Sequence, residues 1–190
     1  ASANPPLFSL ALVKGGLTRL SLAACGIVGR NVGKLTSALT RCRTLRWLDL
    51  RGNLLGSEGA RAVAEALRGN TVLRALHLGG NQLGDEGVAP LAKAVAENYA
   101  LEELDLPSNG IGDAGAVALA SAMLVNRHLR SLELWGNRVT ARGGAGLTTA
   151  QRENPRLEHL GLENNRMDVK GRVEMLESLV DNQRSRDARG

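Results

Sequence analysis

Aromatic residues are almost missing from this chain, with two Trp, one Tyr and one Phe among 190 residues. A core without aromatics has to be assembled from Leu, Ala and Val, which suits many thin, similar layers better than one large centre. Cysteine is as scarce: Cys25 and Cys42 are the only two. No disulfide framework can therefore organise the fold, and both are expected to be buried structural thiols. No apolar run approaches the ~20 residues of a membrane-spanning helix, and no basic-then-apolar leader opens the chain. The expectation is a soluble protein in an intracellular, cytoplasmic setting. Catalytic groupings are missing too. His77, His128 and His159 lack metal-ligand spacing. Val28-Gly29-Arg30-Asn31-Val32-Gly33-Lys34-Leu35 resembles a phosphate loop only loosely, with its first Gly one place late and Leu35 where a magnesium-binding Ser or Thr is needed. The reading is of a non-enzyme with no catalytic residues, no metal and no cofactor.

Charge is unevenly spread. The net value is +5, but residues 1–70 carry ten Lys/Arg against three Asp/Glu, residues 71–140 five against eight, and residues 141–190 nine against eight. The basic residues of the first part are scattered among strands, loops and helices without interleaved aromatics. That pattern argues against nucleic acid as a partner.

What the chain has in abundance is leucine in a fixed frame. Leu45-Arg46-Trp47-Leu48-Asp49-Leu50-Arg51-Gly52-Asn53 fits Leu-x-x-Leu-x-Leu-x-x-Asn/Cys, and the frame reopens at Leu17, Leu73, Leu101, Leu129 and Leu157, at intervals of 28 residues throughout. Each frame predicts a short strand with alternating sides, placing Leu48 and Leu50 inward and Trp47, Asp49 and Arg51 outward. The closing Asn53, Asn81, Asn109, Asn137 and Asn165 are expected to bond backbone groups where the chain leaves the strand. A helix follows, read from Ala60, Val63, Ala64 and Leu67 at i, i+3, i+4 and i+7. Gly59, Gly87, Gly115, Gly143 and Gly171 mark its start, where a side chain would crowd the next layer, and Asn70, Asn98, Asn126, Asn154 and Asn182 its end. Helices are wider than strands, so the stack is expected to curve into a horseshoe arc with the sheet on the concave face. The fifth repeat departs from the pattern, with Gly143, Gly144 and Gly146 together and Gln151 in an apolar position. Its helix is expected to be the least stable.

The expected fold is thus α/β, a leucine-rich repeat solenoid with a parallel β-sheet on the concave face and α-helices on the convex face. One domain is assigned over 1–182: the helix of a partial repeat over 1–16, then repeats over 17–44, 45–72, 73–100, 101–128, 129–156 and 157–182, with a polar tail at 183–190. The chain begins in mid-repeat without an initiator Met and is expected to belong to something longer. The 28-residue period, the leucine frame and the Gly-Ala-x-x-Leu/Val-Ala helix resemble the ribonuclease-inhibitor-like class of leucine-rich repeats. Within it, Glu86-Gly87 with Asn98 and Leu101, and Asp113-Ala114-Gly115-Ala116 with Asn126, look most like the repeats of NOD-like receptors. The resemblance implies a non-enzymatic protein-binding module, the recognition or regulatory part of a larger intracellular receptor or scaffold. A second implied reading, from the GTPase-activating protein of Ran in the same class, is regulation of a small GTPase. Against it, that family ends in a strongly acidic tail, and this chain ends in Arg184-Ser185-Arg186-Asp187-Ala188-Arg189.

Contact residues lie outside the repeat frame and have to be read from the outward strand positions. Stacked rung by rung, these form three columns: Arg19, Trp47, Ala75, Glu103, Ser131, His159; then Ser21, Asp49, His77, Asp105, Glu133, Gly161; then Ala23, Arg51, Gly79, Pro107, Trp135, Glu163. Both tryptophans fall here, and exposed aromatics are common anchors of protein interfaces. The candidate protein-binding residues are Trp135 with Glu133, Glu103, Asp105, Glu163 and His159, and Trp47 with Asp49, Arg51 and His77. The expected partner is a protein with a basic or mixed patch. Oligomeric state cannot be read from the sequence.

Overall fold

A computed structural model describes residues 16–169, 171–173, 176, 177 and 180. Six short strands, β1 Arg19–Ser21, β2 Trp47–Asp49, β3 Ala75–His77, β4 Glu103–Asp105, β5 Ser131–Glu133 and β6 His159–Gly161, form one sheet in chain order. All neighbours are parallel and in the same register, so Leu48 faces Leu76, Leu76 faces Leu104 and Leu104 faces Leu132. Backbone pairing continues past the strands into the turns, with Leu50 N–H on the His77 carbonyl at 2.8 Å and Gly52 N–H on that of Gly79 at 2.8 Å.

Opposite the sheet lie α1 Gly33–Arg41, preceded by a 3-10 turn at Gly29–Asn31, then α2 Gly56–Gly69, α3 Gly84–Glu97, α4 Asp113–Val125 and α5 Ala141–Glu153. Each inward leucine of a strand meets the apolar stripe of its helix. Leu45, Leu48 and Leu50 are fully buried, as are Ala60, Ala64 and Leu67 across from them. Truncating such a leucine costs roughly 2–5 kcal/mol in comparable cores.

Two ladders of buried asparagine tie the rungs together. Asn81 donates from Nδ2 to Leu50 O at 2.9 Å, one rung back, and to Leu78 O at 2.9 Å, while its backbone N–H reaches Asn109 Oδ1 at 2.9 Å, one rung on. The second ladder runs through the helix ends. Asn98 donates to Leu67 O at 2.7 Å and Asn70 O at 2.9 Å, and accepts from the N–H groups of Ala100 and Leu101 at 2.8 Å. The expected helix-stop asparagines therefore also bond carbonyls at the helix end of the preceding rung, tying one rung to the next.

The recurrent glycines sit in the first helical turn, slightly inside the expected helix start. Their purpose is as expected: a Cβ on Gly87 would lie 2.9 Å from Ala60 Cβ, and one on Gly59 3.2 Å from Gly29 Cα. Cys42 is buried, but Cys25 is exposed, contrary to expectation. Asn53 reaches back to cover rung one, whereas Cys25 stands at the front edge of the described stack. Of the helix expected over 1–16, only Gly16 is described, and its φ of 64° is left-handed, not helical. The rest of that segment and the tail at 183–190 lie outside the described residues. So does much of the sixth helix.

Candidate functional site

The outward columns emerge on one face of the sheet as expected, but their polar groups divide into two sets. In the first, side chains are spent on one another. The Arg19 guanidinium lies over the Trp47 ring at 4.3 Å, the Trp47 ring lies 5.2 Å from that of His77 at a 51° tilt, and His77 Nδ1 meets Asp105 Oδ2 at 3.1 Å. One continuous chain of contacts thus crosses β1 to β4. Beside it Arg51 forks onto Asp49, Nε to Oδ1 at 3.0 Å and Nη2 to Oδ2 at 2.9 Å, with Ser21 Oγ donating to Oδ2 at 3.2 Å.

Asp49 is only 3% exposed. The Arg51 hydrogen bonds outweigh the burial that opposes ionisation and lower its pKa from 3.8 to about 2. Arg51 is correspondingly held more firmly protonated, chiefly by the Asp49 bond. Asp49 is therefore a structural anion, with both oxygens occupied.

The second set is open. Trp135 is 43% exposed. Glu103 and Glu163 are exposed and make no salt bridge among the described residues. Glu133 pairs with His159 Nε2 at 2.6 Å, and its carboxylate occupies space that a side chain at Gly161 would take. Of the five residues grouped around Trp135 in the sequence, Asp105 and Glu133 are thus already engaged by histidines. The two sets meet at a depression of about 700 Å³ lined by Arg51, His77, Glu103, Asp105, Glu133 and Trp135, together with small or rigid residues such as Gly79, Pro107, Ser108 and Ser131. Trp47, Asp49, His159 and Glu163 do not line it. Gly79 and Ser131 are among its short lining residues, and Pro107 packs over Gly79, 2.8 Å from where a Cβ would stand.

Sequence reasoning also missed a pair of caps between rungs. Asp85, in the first turn of α3, accepts from Gly112 N–H at 2.7 Å and Gly115 N–H at 3.0 Å, capping α4 from the rung before. Asp113 does the same for α5, accepting from Thr140 N–H at 2.8 Å, Thr140 Oγ1 at 2.7 Å and Gly143 N–H at 3.2 Å. Burial pushes the Asp113 carboxyl upward, yet these bonds together leave its pKa lowered. Asp85 and Asp113 stand 28 residues apart, so the repeat itself was the available clue. Among the described residues no group of three or more His, Cys, Asp or Glu is placed to hold a metal, and no helix is long and apolar enough to cross a membrane.

This architecture is that of a leucine-rich repeat solenoid. The family model described as Leucine Rich repeat matches residues 41–64, 69–92, 100–120 and 125–147, and the chain carries such repeats. Its sequence matches none of the curated proteins. Among solved structures it is similar to the tropomodulin C-terminal domain of Caenorhabditis elegans, with a TM-score of 0.61 and 14% identity over 98% of each chain. It is also similar to a leiomodin-1 domain described as actin-binding site 2, with a TM-score of 0.53 and 18% identity over 96% of this chain and 93% of that one. At these identities the likeness is one of fold.

Proposed function

We propose that the chain is a non-enzymatic protein-binding module, the recognition or regulatory part of a larger intracellular receptor or scaffold, and that it holds a basic or mixed-charge protein surface around Trp135. The observation that carries this reading is the contrast between the two tryptophans. Trp47 is sandwiched by Arg19 and His77, whereas Trp135 stands 43% exposed beside the depression. A large aromatic left to water between unpaired carboxylates fits a contact residue better than a packing one. Glu103 and Glu163 supply the field that would steer a cationic partner. The leiomodin-1 domain of the same fold is described as an actin-binding site, which supports protein as the class of partner. The motif resemblance to NOD-like receptors supports the receptor reading.

The test is quantitative affinity capture with four baits: wild type, Trp135→Ala, Glu103→Ala with Glu133→Ala, and Arg61→Ala on the convex face. Proteins captured by wild type should be retained by the Arg61 variant and depleted by both concave variants. Depletion by Arg61→Ala, with both concave variants binding as wild type, would move the contact to the helices and overturn the proposal.

A further inference from the structure

The depression beside Trp135 joins an apolar wall to carboxylates that its own residues leave open. Glu103 and Asp105 on β4 and Glu133 on β5 line it, and the guanidinium among its lining residues, that of Arg51, is forked onto Asp49. Asp105 acts on the Arg51 charge across the depression without bonding it. The three carboxylates differ in how far they are used. Glu133 turns toward rung six, where His159 Nε2 meets its Oε1 at 2.6 Å. Asp105 gives Oδ2 to His77 Nδ1 at 3.1 Å and keeps Oδ1 open, and the Glu103 carboxylate accepts no hydrogen bond among the described residues.

The columns fix how a ligand reaches these oxygens. Glu103, Asp105 and Pro107 follow one another along rung four in two-residue steps, about 6.6 Å each in extended chain, and Trp135 takes the Pro107 position on the next rung. Ser108 N–H donates to the Trp135 carbonyl at 3.1 Å, holding the two turns side by side. A side chain that enters over Pro107 thus has proline and indole along its stem and two open carboxylates at its tip. A long apolar stem with a cationic head answers both. Acceptors on two different residues select a planar head whose N–H groups point in several directions, and such a head also stacks on indole, whereas an ammonium is a compact, strongly hydrated charge. The closed half of the same face already uses both contacts, with Arg19 over Trp47 at 4.3 Å and Arg51 forked onto Asp49. At about 700 Å³ the depression has room for one such side chain and its adjoining backbone.

We propose that the depression seats an arginine side chain of the partner protein, its stem against Pro107 and Trp135 and its guanidinium bridging Glu103 and Asp105 Oδ1. The inference rests on the concave-face reading above and narrows the partner's basic patch to one residue type at one place.

Nuclear magnetic resonance titration of the isotope-labelled full chain with three end-blocked tripeptides, Gly-Arg-Gly, Gly-Lys-Gly and Gly-citrulline-Gly, tests it. At millimolar arginine peptide the Trp135 indole N–H signal should move, while that of Trp47, which does not line the depression, stays. The lysine peptide should bind about fivefold or more weakly, and the citrulline peptide, which keeps the shape and loses the charge, should leave Trp135 unmoved. Glu103→Gln should weaken the arginine peptide about fivefold or more with unchanged circular dichroism, because the position is exposed. Arg61→Ala should bind it as wild type does. A Trp135 signal indifferent to the arginine peptide overturns the proposal. So does equal binding of the arginine and lysine peptides, or of wild type and Glu103→Gln. The peptides need no identified partner, so the two readings fail separately: capture lost in the concave variants without arginine preference removes the arginine seat alone, and capture lost only in Arg61→Ala removes the concave-face reading.

Discussion

Rungs one to four and rungs four to six of the concave face share one sheet, one register and one spacing, yet they treat their polar side chains in opposite ways. In the first region Arg19, Trp47, His77 and Asp105 are joined in series, and Asp49 and Arg51 satisfy each other. In the second, Glu103, Glu163 and Trp135 face solvent. The leucines beneath are the same in both, and from rung two onward so are the asparagines, so the scaffold did not impose the difference. A repeat fold fixes where outward side chains stand and leaves open whether they serve their neighbours or something else.

The widest separation between the regions should come from exchanging their tryptophans. Trp135→Ala is expected to cost binding about 2 kcal/mol or more while changing folding stability by less than about 0.5. Trp47→Ala should do the reverse, losing stability as Arg19 and His77 lose their shared neighbour. Urea unfolding of both variants, paired with the affinity of an identified partner, measures this. Equal stability losses would show that the two tryptophans have the same role.

Next in size is the Asp49 carboxylate. Removing it by Asp49→Ala leaves Arg51 and Ser21 without their acceptor and should cost about 2 kcal/mol, whereas Glu103→Ala in the open region should cost close to nothing. The same quantity is accessible through pH. A carboxyl lowered in the folded state from 3.8 to about 2 stabilises the fold fully above pH 4. That contribution is withdrawn as pH falls from 4 to 2 and is gone below, amounting to about 2 kcal/mol. Wild-type stability should therefore drop more steeply than that of Asp49→Ala across this window. Parallel curves would remove the anion from the account.

Much of this fold was legible because its information is periodic. A frame recurring every 28 residues placed all six strands to within about a residue, since Leu48 and its equivalents can be buried only in one register. Asn98 was harder. Its position at a helix end was readable, but its bond to Leu67 O depends on a neighbouring rung lying close enough to receive it. The site was legible as a list of outward residues and illegible as a network. Nothing in the sequence tells whether Arg51 reaches to a partner or folds back on Asp49 two residues earlier, because both choices satisfy the repeat. Cys25 was misjudged for a related reason: its slot is buried only where another rung covers it.

The smallest expected effect concerns the helix that supports Trp135 from behind. α5 spans thirteen residues, Ala141–Glu153, despite containing Gly143, Gly144 and Gly146, and it buries Gln151 at 5% exposure in the row occupied elsewhere by Leu67, Val95 and Met123. Its glycines are not equivalent. A Cβ on Gly143 would lie 2.9 Å from Val139 Cγ1 and 3.0 Å from Ala116 Cβ, and one on Gly144 2.6 Å from Met167 Cε, whereas one on Gly146 would meet only Ala120 Cβ at 3.7 Å. Gly146→Ala therefore removes backbone freedom without a clash and should stabilise the helix by up to about 1 kcal/mol. In a solenoid that gain stays local. Amides of residues 143–152 should exchange faster than those of residues 60–68 in wild type, and Gly146→Ala should slow the first group several-fold while leaving the second unchanged. If both groups slow together, rungs two and five open as one unit, and the open half of the face is not supported by a weaker scaffold than the closed half.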